Sequence, residues 1–124
     1  MTSASEIYSA SLALIGETNF DHYRARAVDG IHLLLADLYF LDRTLRGEDA
    51  SPAGEIPGVR SLSDEVDVTD VLGRTLMPLG LAAFLLGEED GKRASFFQQL
   101  YRTEKEILLR AFAPGRRHPI RNVY

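Results

Sequence analysis

Asp64, Asp67 and Asp70 stand three residues apart. On a helix that spacing sets carboxylates along one drifting face, where they could hold a hard divalent cation. Small helical nucleotide hydrolases use carboxylate clusters of this kind, so a metal-dependent hydrolase is one reading. The same acids have a second explanation. Helical signals resume at Ser63 or Asp64, and Ser63, Asp64, Glu65, Asp67 and Asp70 load the first turns of that expected helix with charge that complements its dipole. No second acidic set faces them, and the acids are read as structural. Glu88, Glu89 and Asp90 lack the alternating oxygen ligands and terminal glutamate of a calcium loop and are read as a solvated turn.

Other catalytic chemistry finds no residues. His22, His32 and His118 are the three histidines, and none pairs at metal-ligand spacing. His32 follows Ile31 on an expected helix and should lie at the edge of its apolar face. There is no G-x-S-x-G elbow and no glycine-rich phosphate loop. The absence of cysteine removes disulfides, thiolate zinc sites and thiol nucleophiles together. No catalytic residue, cofactor or metal ligand is nominated, and the chain reads as a non-enzyme.

Binding chemistry is concentrated at the end of the chain. From residue 110 onward stand Arg110, Arg116, Arg117 and Arg121 with no acid, leaving ten of the fourteen basic residues and all eighteen acidic ones in the rest. A basic tail beside an acidic body suits docking on an acidic surface, because the arginine fork pairs with carboxylates and phosphates. Ile120, Val123 and Tyr124 add apolar anchors that a solubility tail would not need. Arg116, Arg117, Arg121 and Tyr124 are therefore the candidate protein-interaction residues, with a tail that only aids solubility as the plainer alternative.

The elements that must position these residues are helical. Ser3 and Glu6 have capping-box spacing, and Ile7, Ala10, Leu14 and Ile15 recur at helical intervals before Gly16. Asp21 to Leu41 carries Tyr23, Ala27, Ile31, Leu34, Leu35, Leu38 and Leu41 in one helical pattern, which predicts the longest helix, on the order of 30 Å, capped by its opening acid. Residues Asp42 to Leu62 lose periodicity and collect Gly47, Pro52, Gly54, Pro57 and Gly58. A loop of roughly 20 residues is long for a compact domain. It is either a surface crossing or an arm that touches another subunit. A third helix, to Gly87, meets Pro78, which should kink or divide it. Its Met77–Gly87 run is almost wholly apolar and should be the most buried element or a subunit interface. The last helix, from about Lys92 to Phe112, presents Phe96, Phe97, Leu100, Tyr101, Ile107, Leu108, Ala111 and Phe112 as a broad apolar face.

The expected fold is all-α: a small bundle of about four helices with a long middle loop. Residues 1–113 would form one helical domain and 114–124 an extended tail. Length and composition agree, since 124 residues with 45% apolar and 26% charged content suit one soluble domain. No signal-like segment opens the chain and no apolar run approaches the ~20 residues of a bilayer span, so it is expected in the cytoplasm where it is made. The net charge of −4 argues against a general nucleic-acid coat.

The order of features resembles the head-to-tail connector adaptor proteins of tailed bacteriophages and prophages. Its carriers are I-Y-S-A-S-L-A-L-I-G-E at Ile7–Glu17 and D-H-Y-R-A-R-A-V-D-G-I-H-L-L-L-A-D-L-Y at Asp21–Tyr39. The L-G-L-A-A-F-L-L-G-E-E-D stretch at Leu79–Asp90 and F-F-Q-Q-L-Y-R-T-E-K-E-I at Phe96–Ile107 complete them. The resemblance implies an all-helical structural protein that forms a dodecameric ring beneath the portal protein, links it to the stopper or tail-completion protein, and surrounds the DNA channel without reading the DNA. It implies a place in the virion neck and no contact with a membrane. The tail R-R-H-P-I-R-N-V-Y matches no motif of that family. A reading from another class is a cytoplasmic helical regulator that binds DNA or a partner protein through its basic tail. The acidic and apolar helices lack the exposed arginine, lysine or asparagine of a recognition helix.

Overall fold

The computed structural model describes residues 2–47 and 56–112, and the fold across them is all-α. The elements are α1 (Ala4–Ile15), α2 (Arg24–Asp37), α3 (Tyr39–Leu45), a π-wound turn (Leu72–Leu76), α4 (Met77–Leu86) and α5 (Gly91–Phe112). Among the described residues the expected four helices become five, because one expected helix is two.

Helix α1 starts and stops as its residues dictate. The Ser3 hydroxyl accepts from the Glu6 N–H at 3.1 Å, and the Glu6 carboxylate accepts from the Ser3 N–H at 3.0 Å, closing the capping box. At the other end Gly16 takes φ 78°, and the Gly16 and Glu17 N–H groups donate to the Ala13 and Leu12 carbonyls. That is the Schellman arrangement, and only glycine enters it without steric penalty. The buried face is rotated from the expected one. Ala4, Ile7, Tyr8, Ser11, Leu12 and Ile15 are inside, whereas Ala10 and Leu14 are exposed. Polar groups make this rotation possible: the Tyr8 hydroxyl donates to the Phe20 carbonyl and accepts from the Tyr23 N–H, while the Ser11 hydroxyl donates to the Tyr8 carbonyl.

The single helix expected over Asp21–Leu41 breaks at Leu38, whose φ −97° and ψ 2° leave the helical region. Asp21 caps nothing. Tyr23 precedes α2 without a side-chain cap, and Asp21 pairs with Arg24 at 3.3 Å. The break keeps Leu38 buried while Asp37 turns to partners on α5, so tertiary contacts override a continuous pattern. The longest helix is therefore α5, at 22 residues. Helix α3 also carries the chain past Asp42, where the loop was expected to begin. Asp42 is buried, bound to Arg46 at 3.0 Å and accepting the Thr69 N–H at 2.8 Å. At the loop's far end Val59 and Leu62 are buried, so this part packs on the body instead of projecting. The loop's middle, residues 48–55, lies outside the described residues.

The helix expected from Ser63 or Asp64 begins only at Asp70. Before it the chain is not helical and is tied to the start of the chain, with the Ala4 N–H donating to the Asp64 carbonyl and the Val66 N–H to that of Thr2, each at 2.9 Å. Pro78 then sits in the first turn of α4, where a missing N–H does least harm. The turn ahead of it is wound wide, the Met77 N–H reaching the Leu72 carbonyl, and the backbone stays right-handed helical at Val71, Leu76 and Met77.

Helix α4 is the hub. Met77, Leu81, Ala82 and Leu85 are fully buried, and α1, α2 and α5 pack around it. Two glycines set the spacing. A Cβ on Gly30 of α2 would stand 2.6 Å from Leu81 Cδ1, and one on Gly80 of α4 would stand 2.4 Å from Leu34 Cδ2 and 3.0 Å from the Tyr101 ring. Helix α5 opens on Asp90, whose side chain accepts from the Arg93 N–H at 3.2 Å. Phe97 and Tyr101 face the core, but Phe96, Leu100, Ile107 and Ala111 do not, so half of the expected apolar face of α5 points away from the body.

These placements predict three different responses. Leu76→Asp puts an unpaired charge at a fully buried site and should cost on the order of 4 kcal/mol, enough to lose the helical circular-dichroism signal. Gly80→Ala should cost about 1–3 kcal/mol through overpacking, despite the better helix propensity of alanine, and lower the melting temperature. Leu100→Asp should leave the helical spectrum intact; an unfolded L100D chain would return Leu100 to the core.

Candidate functional site

The residues that the sequence brought forward for chemistry do not assemble. Asp64 accepts the Arg60 and Ser61 N–H groups at 2.7 and 3.3 Å, Asp67 pairs with Arg46 at 2.9 Å, and Asp70 accepts from the Thr2 hydroxyl at 3.1 Å. Asp64 and Asp67 precede the helix, so the three do not share a helical face. Among the described residues no group of three His, Asp or Glu side chains could hold a metal ion. Glu89 and Asp90 are more than a solvated turn. Glu89 accepts from the Tyr23 hydroxyl at 2.6 Å and lies 3.5 Å from His22, while Asp90 opens α5. The Tyr23 hydroxyl pKa is pushed up to about 12 by its bond to Glu89 and by burial. His32 sits at the edge of α2, as expected, with Nε2 2.7 Å from the Val59 carbonyl, and ties down the loop's end. Arg116, Arg117, Arg121 and Tyr124 lie outside the described residues.

What the fold does assemble is a groove and a ridge on opposite flanks of α5. The groove, about 410 Å³, runs between α2, α4 and α5 over a floor of Gly30, Leu34, Gly80 and Ala83. Leu33 and Phe84 line its α2 and α4 sides; Ser95 and Gln98 line its α5 side. It exists because the two glycines bring the helices close without filling the crease above them. Arg26 braces one end, its guanidinium donating to the Phe84 and Leu85 carbonyls at 3.3 Å each and lying 4.9 Å from the Phe84 ring centroid. That cation adds to the Gly87 N–H on the Phe84 carbonyl and reaches the Leu85 carbonyl beside it, both in the last turn of α4, where helical donors run out.

At the other end, Asp37 is held by the Tyr101 hydroxyl at 2.5 Å and by Lys105 Nζ at 2.9 Å. Burial opposes ionisation of Asp37, but these two bonds outweigh it and keep the carboxyl below its usual range. The same burial, with the bond to Asp37, pushes the Tyr101 hydroxyl far above the ordinary tyrosine value.

The ridge is Phe96, Leu100 and Ile107, exposed by 58%, 37% and 49%. At 3.6 residues per turn these three fall within about 40° of one another, on the side of α5 away from Ser95, Gln98 and Tyr101. With Leu33 at 59% exposure on the groove's rim, the helices leave apolar surface on two sides. The sequence showed the apolar residues of α5 but not which would stay uncovered. The groove had a signal in Gly30 and Gly80, interior helix glycines that mark close backbone approach.

No family model matches the chain, and no curated protein and no solved structure matches it. Among the described residues no helix is long and apolar enough to cross a membrane.

The Tyr101–Asp37–Lys105 bridge predicts an alkaline limit to stability. The folded tyrosine pKa lies above the ordinary 10.0, so its contribution is fully present below about pH 10 and is lost as pH climbs beyond it. The Asp37 contribution runs the other way: it is present above the ordinary carboxylate range and fades as pH falls through it. Thermal melts of the parent and Tyr101→Phe should converge as the pH rises above 10, the parent losing more. A constant gap between the two would detach Tyr101 from that titration.

Proposed function

We propose that this chain is a structural, non-enzymatic head-to-tail connector adaptor of a tailed bacteriophage or prophage. In this reading several copies, twelve on the portal protein, form a ring beneath it in the virion neck. The ring carries the stopper or tail-completion protein and surrounds DNA that passes without specific recognition. The observation that carries the reading is the pair of apolar surfaces on opposite flanks of α5. A helical body that leaves Phe96, Leu100 and Ile107 on one side and a groove rimmed by Leu33 on the other is suited to having neighbours on both sides. The acidic balance outside the last fifteen residues suits a channel for DNA, since a basic wall would retain the passing strand. The small five-helix core with a long loop and a basic tail supplies, in this reading, the contacts to the portal and the stopper. Arg116, Arg117, Arg121 and Tyr124 act in the tail.

Electron microscopy of particles from a producing strain tests this directly. Deleting the gene should give tailless heads that leak DNA, and a plasmid copy should restore tailed virions. Normal tailed particles from the deletion strain would remove the connector role and favour a cytoplasmic regulator acting through the basic tail. Removing residues 114–124 from the purified protein should leave its melting temperature unchanged and weaken binding to portal particles in co-sedimentation.

A further inference from the structure

We draw no further inference here: the strongest candidate, the exposed apolar ridge of Phe96, Leu100 and Ile107 on α5 together with the groove on that helix's other flank, carries nothing because nothing in the structure shows what covers either surface.

Discussion

The close approach of α4 to its neighbours is the constraint on which the rest depends. Gly80 admits Leu34 and Tyr101 so closely that a Cβ would force one of them to shift, and Gly30 admits Leu81 and Phe84 in the same way. Each glycine sacrifices helix propensity of about 1 kcal/mol, which the packed apolar contacts must offset. The offset is available because nearly all of Met77–Leu86 is buried and contributes apolar area from every side. The approach also fixes where Tyr101 stands, and through it Asp37, Lys105 and the break between α2 and α3. One steric allowance thus sets the helix spacing, the polar bridge and the groove above them.

The same packing explains why an acidic chain holds no acidic site among its described residues. Asp42 is buried, yet it answers two donors, Arg46 and the Thr69 backbone. Asp64 closes a turn, Asp67 shares Arg46, and Asp90 starts α5. A carboxylate committed to a backbone N–H or a guanidinium is positioned by that partner and loses the freedom to converge with others on a cation. Spacing alone suggested convergence at Asp64, Asp67 and Asp70. It failed because the chain from Asp64 to Thr69 is not helical, and only a helix aligns side chains at that spacing.

How far the fold could be read from the sequence follows from whether a signal was local. The capping box of Ser3 and Glu6, the Schellman turn at Gly16, the proline at the start of α4 and the extent of α5 are all set by residues within a turn of one another, and all were readable. The break at Leu38 was not, because its cause lies on α5, more than sixty residues away. The start of the helix before α4 was missed for a related reason: Val66 and Asp64 hydrogen-bond to the segment ahead of α1. Periodicity found apolar residues but could not tell covered from uncovered. Ala10 and Leu14 fit the pattern of α1 and lie outside, while Tyr8 and Ser11 lie inside because their hydroxyls have partners.

That last distinction governs the reading of α5. Single exposed apolar side chains are common on soluble proteins and require no explanation. Phe96, Leu100 and Ile107 differ because they lie on one side of one helix, with only Thr103 between the last two on that side. Folding does not need these side chains. Phe97 and Tyr101 already seat α5 on the core, and polar residues at the three positions would keep the helix and remove the exposed area. Covering these side chains would remove their apolar area from water, a gain that folding of the single chain does not take. The groove across the helix, floored by glycine and alanine and rimmed by Leu33, is a second apolar surface that the fold leaves open.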